Sequence, residues 1–157
     1  MAVILRINLN RLRAEMLELA IAGQPAFSVS RKEIEQQGTT YTYETLEKLR
    51  EDDPHRELYF LIGADSLADL PHWRKPDRIA ELATIVVVNR GDRPLPSLEP
   101  LREKLGEAVA ERIQFVSMPG IDLSATDLRQ RVKDGRSIRF MTPRAVEIYI
   151  EEHSLYR

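Results

Sequence analysis

The length, composition and charge of the chain indicate one folded domain without a nucleic-acid or membrane partner. Its 157 residues suit a single domain, 1–157, and 43% apolar against 31% charged residues is the balance of a globular protein. The formal charge of -2 argues against nucleic-acid binding. There is no cysteine, which excludes disulfides and thiolate metal sites, and no apolar run long enough to span a bilayer. The apolar start MAVILRINL is too short for a signal peptide, so we expect a cytoplasmic protein.

The first third of the chain predicts two helices and one short strand. Apolar residues recur at helical spacing over 11–22, which predicts a helix. The alternating segment AFSVS, 26–30, resembles a strand. YTYETLEKLR, 41–50, predicts a second helix with Thr42 as its N-cap.

The rest of the chain alternates strands with helices. ELYFLIG and ATIVVVNR are apolar throughout, which predicts parallel strands covered on both faces. Between them, helical turns are interrupted by Pro71 and Pro76. The remaining predicted elements are a helix near 100–111, a short strand IQFVS and two C-terminal helices. This alternation predicts an α/β layered domain.

Several unusual residues follow the predicted strands: Gly63, Asp65, Trp73 and Arg90. Sheets of this class bind ligands at the carboxyl ends of their strands. A carboxylate there can accept both hydroxyls of a ribose, but Asp65 could equally cap a helix beginning near Ser66. Trp73 could stack on a flat heterocycle or belong to the core.

The segment IDLSATDLRQRV predicts the start of another helix. Ser124 and Asp127 have capping-box spacing, and Gly135 marks the helix end. Free N–H groups at that start, with Ser124, Thr126 and Arg129, would cradle a phosphate chain. The alternative is a well-capped surface helix.

In order along the chain, RAEMLELAI, TYTYETLEKL, LYFLIGADSLADLPHWRKPDRI, ATIVVVNR, LSATDLRQRV and TPRAVEIYIEEHSLY resemble the bacterial nicotinate-nucleotide adenylyltransferases of the HxGH nucleotidyltransferase superfamily. The resemblance implies a Rossmann-like fold with a mostly parallel sheet. It also implies that the phosphate of nicotinate mononucleotide attacks the α-phosphate of ATP with Mg²⁺, giving nicotinate adenine dinucleotide and pyrophosphate, a step of NAD biosynthesis.

The resemblance also implies roles for individual residues. Asp65 would contact the adenosine ribose, with Gly63 allowing close approach of the backbone. Arg129 would stabilise phosphate charge. The remaining implied ATP-binding residues are Arg90, Ser124 and Thr126.

For nicotinate mononucleotide, Trp73 would pack on the pyridine ring. Thr40, Tyr41 and Thr42 would form the loop whose backbone groups meet the ring carboxylate, so selectivity for the acid over the amide would lie there. The resemblance implies no protein metal site and no particular oligomeric state.

One departure from the family concerns its G-x-F-D-P-x-H-x-G-H motif, whose histidines receive the ATP phosphates. The chain's histidines, His55, His72 and His153, are not paired in this way. We therefore expect a chain truncated at its N-terminus, without the family's first strand and phosphate loop, unless AVILRI partly replaces that strand. Two alternatives remain: a noncatalytic nucleotide-binding remnant, and a related adenylyltransferase acting on nicotinamide mononucleotide or a pantetheine phosphate.

Overall fold

Helices and strands alternate along the chain in the computed structural model, which describes residues 9–35, 38–91 and 94–157. The helices are α1 (Leu9–Ile21), α2 (Lys32–Glu35), α3 (Thr42–Asp52), α4 (Ala64–Leu67), α5 (Pro76–Leu82), α6 (Glu99–Leu105), α7 (Glu107–Ala110), α8 (Ala125–Lys133) and α9 (Arg144–Glu152). The strands are β1 (Tyr59–Gly63), β2 (Thr84–Arg90) and β3 (Ile113–Met118). A 3₁₀ turn, Leu70–His72, lies between α4 and α5.

The three described strands form one parallel sheet in the order β1-β2-β3. In the register, Gly63 lies opposite Val88 of β2, and Arg90 lies opposite Met118 of β3. The α/β prediction is therefore confirmed. Because the strands are parallel, their carboxyl ends share one edge of the sheet, where ligands of such sheets bind.

The two faces of the sheet differ in burial within the described part of the chain. Ile85 and Val87 on one face are fully buried in the main core. On the other face, Leu61 of β1 is 63% exposed, and Tyr59 is exposed as well. The expectation that β1 is covered on both faces is therefore wrong for the described residues, because none of them packs over these two side chains.

The chain divides into two compact units, one of residues 1–37 with 122–157 and one of residues 38–121. The second contains the sheet and the larger core. In the first, α1 and α9 are joined by a short hydrogen bond from the Tyr149 hydroxyl to the Glu15 carboxylate. The assignment of 1–157 to a single domain stays a prediction.

Two predicted elements differ from the structure. Residues 26–30 form no strand, since no strand among the described residues pairs with this segment and Phe27 is exposed. The helix expected near 100–111 is two helices, α6 and α7, because Gly106 between them has φ 83° and leaves the helical region. The segment AVILRI lies outside the described residues.

Candidate functional site

Gly63 and Asp65 occupy the carboxyl end of β1, as the sequence predicts. Gly63 ends the strand and serves as N-cap of α4, and Asp65 lies in the first turn of that helix. A Cβ placed on Gly63 would meet no atom within 4 Å, so the backbone there faces open space. This lets a ligand approach the backbone closely.

The carboxylate of Asp65 is exposed and caps no helix. α4 begins before it, at Ala64, and its N-cap makes no side-chain hydrogen bond. Within the described part of the chain, Asp65 forms neither a hydrogen bond nor an ion pair. The capping interpretation of Asp65 is therefore wrong, and its acceptor atoms remain available to a ligand.

Arg90 ends β2 at the same edge of the sheet. Its side chain lies outside the part of the chain that the structure describes. The loops beyond β2 and β3 approach each other closely, since a Cβ on Gly120 would lie 3.3 Å from the Cα of Gly91. Only glycine fits this approach without a shift of the backbone.

Trp73 belongs partly to the core, and its stacking on a ligand stays a prediction. Its ring meets Phe60 edge to face, with centroids 5.8 Å apart, and packs against the main core. The side chain is only partly buried. One edge of the indole is therefore anchored, while the rest of the ring can still contact a ligand.

The loop of Thr40–Thr42 leads into α3, which begins at Thr42 rather than after it, with Tyr41 as N-cap. The Tyr41 N–H donates to Glu44 Oε2 at 3.0 Å, and the Tyr43 hydroxyl donates to Glu44 Oε1 at 2.9 Å. These two bonds hold the pKa of Glu44 below its usual value, and the bond from the Tyr41 backbone has the larger effect. The carboxylate of Glu44 therefore already occupies a backbone donor of this loop.

The Thr40 hydroxyl is buried and has no hydrogen-bond partner among the described residues. Burial of an unsatisfied hydroxyl costs about 1 to 3 kcal/mol. Such orphaned groups are rare in native structures, and each one requires an explanation. Here the unsatisfied hydroxyl belongs to the loop for which the family resemblance implies contact with the pyridine nucleotide.

The start of α8 has the cap that the sequence predicts. Ser124 Oγ accepts a hydrogen bond from the Asp127 N–H at 3.0 Å. Thr126 lies in the first turn, and Arg129 Nε donates to the Ala125 carbonyl at 3.0 Å. Polar side chains and free N–H groups thus gather at the positive end of the helix dipole.

Within the unit of residues 38–121, the structure brings the Thr40–Thr42 loop to the segment that follows Trp73. The contact is made by Arg74, whose guanidinium carbon lies 5.0 Å from the Tyr41 ring centroid. No hydrogen bond or ring contact joins Asp65 to either segment in the described residues. Arg74 and Glu44 were missed from the sequence; for Glu44, an acid three residues after the N-cap was the available signal.

The described ranges contain neither a candidate membrane-spanning helix nor a candidate metal-binding cluster. No helix there has both the length and the apolar character needed to cross a bilayer. No group of three or more His, Asp or Glu side chains there is arranged to hold a metal ion.

Comparison with known proteins gives consistent matches along most of the chain. Residues 8–131 match the cytidylyltransferase-like family model. The probable nicotinate-nucleotide adenylyltransferase of Roseiflexus sp. (strain RS-1) is 47% identical over 145 residues, which cover 92% of this chain and 71% of that protein. A protein of the same name from Thermus thermophilus is 41% identical over 92% of this chain and is covered to 72%.

A solved structure supports the fold. The nicotinic acid mononucleotide adenylyltransferase of Plasmodium falciparum, complexed with APC, superposes with a TM-score of 0.67. The match covers 93% of this chain and 75% of that one at 18% identity. At that identity, the likeness concerns the fold, and it confirms the predicted nucleotidyltransferase architecture.

Proposed function

Because the chain belongs to the nicotinate-nucleotide adenylyltransferase family, we propose that it binds ATP and nicotinate mononucleotide and serves transfer of the adenylyl group between them. In this reaction, a phosphate oxygen of the mononucleotide forms a bond to the α-phosphorus of ATP. The bond from that phosphorus to the bridging oxygen of the β-phosphate breaks, so pyrophosphate leaves and nicotinate adenine dinucleotide forms. The observation that carries the proposal is the exposed carboxylate of Asp65 at the carboxyl end of β1, which has no partner among the described residues.

Asp65 is proposed to accept hydrogen bonds from the adenosine ribose. Its carboxylate has no internal partner among the described residues, and the open backbone at Gly63 leaves room for the sugar. Hydrogen bonds from hydroxyls to a charged acceptor contribute about 1.5 to 3 kcal/mol each. Arg90, at the same edge of the sheet, is proposed to lie near the bound nucleotide.

Trp73 and the Thr40–Thr42 loop are proposed to bind nicotinate mononucleotide. Anchoring of the indole on Phe60 fixes the ring plane in advance, so little freedom is lost when a pyridine ring stacks on it. The orphaned Thr40 hydroxyl and the first N–H groups of α3 provide further polar groups on this loop.

Ser124, Thr126 and Arg129 are proposed to bind phosphate oxygens at the start of α8. The helix end supplies backbone donors and a positive dipole, and Arg129 supplies a full charge. Because Ser124 already accepts the Asp127 N–H, its hydroxyl hydrogen remains free to donate to a phosphate oxygen.

Mg²⁺ is proposed to enter with ATP. This ion is usually held by substrate phosphates with one or two carboxylates. When bound, the ion neutralises charge on the phosphates. The protein residues orient the ribose, the ring and the phosphate chain.

The two family histidines that the resemblance implies at the α-phosphate have no H-x-G-H counterpart in the 157 residues. Donors at a developing charge typically contribute about 10² to 10³ each in kcat, so we predict low turnover for a polypeptide of these 157 residues assayed alone.

Calorimetry with each substrate, together with chromatographic detection of nicotinate adenine dinucleotide and pyrophosphate, tests the proposed function. Binding of both substrates supports the proposed site, and absence of binding contradicts it. Turnover by these 157 residues at the rate of other family members, lost in Asp65→Asn, would show that the histidine donors are not required.

A further inference from the structure

The two cations that follow Trp73 lie over two tyrosine rings, one just before α3 and one in its first turn. The Arg74 guanidinium carbon is 5.0 Å from the Tyr41 ring centroid, and Lys75 Nζ is 4.3 Å from the Tyr43 ring centroid. The tyrosine rings are stacked, with centroids 6.2 Å apart and planes 17° from parallel. Cation–π contacts of this kind fix where the positive charge lies.

The hydrogen-bond donors of Arg74 have no acceptor in the part of the chain that the structure describes. Its side chain is exposed, and among the described residues it forms no hydrogen bond and no ion pair. Arg78, close by in the sequence, instead lies 2.8 Å from the carboxylates of both Glu47 and Glu81. The guanidinium of Arg74 is thus held in place by the Tyr41 ring, with its donors left for an external acceptor.

The Tyr41 N–H, one of the backbone donors of the loop, is already occupied. It donates to Glu44 at 3.0 Å, and the pKa of Glu44 is lowered first by this bond, so Glu44 stays ionised. The charge of Arg74 also contributes to that lowering. A ligand carboxylate would have to displace Glu44 to use the Tyr41 N–H, and Glu44 would repel it unless a cation lies nearby.

We propose that the Arg74 side chain recognises the carboxylate of the pyridine ring and sets the preference for the acid over the amide. The inference rests on the proposed function, which places the pyridine ring at Trp73. A guanidinium presents parallel N–H donors that match the two oxygens of a carboxylate. A carboxamide offers one acceptor oxygen, and its NH₂ donors would face the N–H donors of the guanidinium.

The test compares nicotinate mononucleotide with nicotinamide mononucleotide by calorimetry. Both carry the same ribose phosphate, so a phosphate contact affects them equally and a contact to the ring substituent does not. The proteins are the unaltered chain, Arg74→Gln, Arg74→Lys and a control, Arg56→Gln. Arg56 is also exposed, lies before the amino end of β1, and its Nε is 3.8 Å from Asp53.

The expected result is an unaltered chain that prefers the acid and an Arg74→Gln variant that binds the acid about tenfold more weakly with unchanged affinity for the amide. Arg74→Lys should keep part of the preference, because it keeps a cation, and Arg56→Gln should keep all of it. Equal weakening of both ligands, or an Arg74→Gln variant that retains the preference, overturns the role of Arg74 alone. An unaltered chain that binds neither mononucleotide overturns the proposed function and this inference with it.

Discussion

The substitution Asp65→Asn separates ligand binding from folding because of where the carboxylate lies. In the described structure Asp65 is exposed, caps no helix and has no hydrogen-bond partner. Its replacement therefore removes no fold contact, and the free energy of unfolding should change by less than about 0.5 kcal/mol. Its only expected stabilising effect is that of an acid in the first turn of the short helix α4.

The effect on ATP binding should be much larger. An ionised acceptor for ribose hydroxyls is replaced by an amide with a single acceptor oxygen, at a cost of about 2 kcal/mol. This corresponds to a Kd about 30-fold higher. Calorimetry with ATP and Mg²⁺ measures the affinity, and thermal denaturation measures the stability.

Asp69→Asn provides a matched control. Asp69 is exposed, lies one turn further along and makes no side-chain cap bond, so loss of its charge should leave ATP affinity unchanged. Reduced stability of Asp65→Asn with unchanged ATP affinity would refute the reasoning. Equal loss of affinity in both variants would show only a general effect of charge.

Substitutions at three further positions test the loop, the proposed phosphate site at the start of α8 and the contact between α1 and α9. Thr40→Val should raise the free energy of unfolding by about 1 kcal/mol, because it removes an unsatisfied buried hydroxyl. The same variant should bind nicotinate mononucleotide more weakly in calorimetry. A variant less stable than the unaltered chain contradicts this prediction. In urea denaturation, Ser124→Ala should lower the free energy of unfolding by about 1 kcal/mol, because it removes the N-cap of α8. Ser124→Asp should keep the cap and weaken only ATP binding. Equal stability of the two variants contradicts the role of Ser124 as a cap. Tyr149→Phe should lower the free energy of unfolding at pH 7 by about 1 kcal/mol or less, because it removes the hydrogen bond from the Tyr149 hydroxyl to Glu15. Burial first, then that bond, raises the pKa of Tyr149 to about 12, above the unfolded value of about 10. The stabilisation is therefore complete below about pH 10, and the difference from the unaltered chain should fade as pH rises toward about 12.

The parallel sheet could be predicted because its strands are short, fully apolar runs separated by helical segments. ATIVVVNR gives β2, in which Ile85 and Val87 are fully buried. The same rule was wrong about the coverage of β1, where Leu61 is exposed. Apolar composition reports the tendency to be buried, and only the fold decides which neighbours are present.

The candidate site was predictable where one segment contains the whole signal. The cap of α8 by Ser124 is such a case, since the donor and acceptor are three residues apart. The contact of Arg74 with Tyr41 joins two distant segments, and no local pattern contains it. Whether Asp65 caps a helix could not be decided from the sequence, because the answer depends on α4 beginning at Ala64.

The measurement that tests the account most directly uses the intrinsic fluorescence of Trp73, the only tryptophan in the chain. Titration with nicotinate mononucleotide should change this fluorescence saturably, because the pyridine ring is proposed to stack on the partly buried indole. Ribose 5-phosphate, which lacks the ring, should leave the signal unchanged. A saturable change with nicotinate mononucleotide alone is the result that the account predicts. No saturable change, or the same change with ribose 5-phosphate, would contradict it.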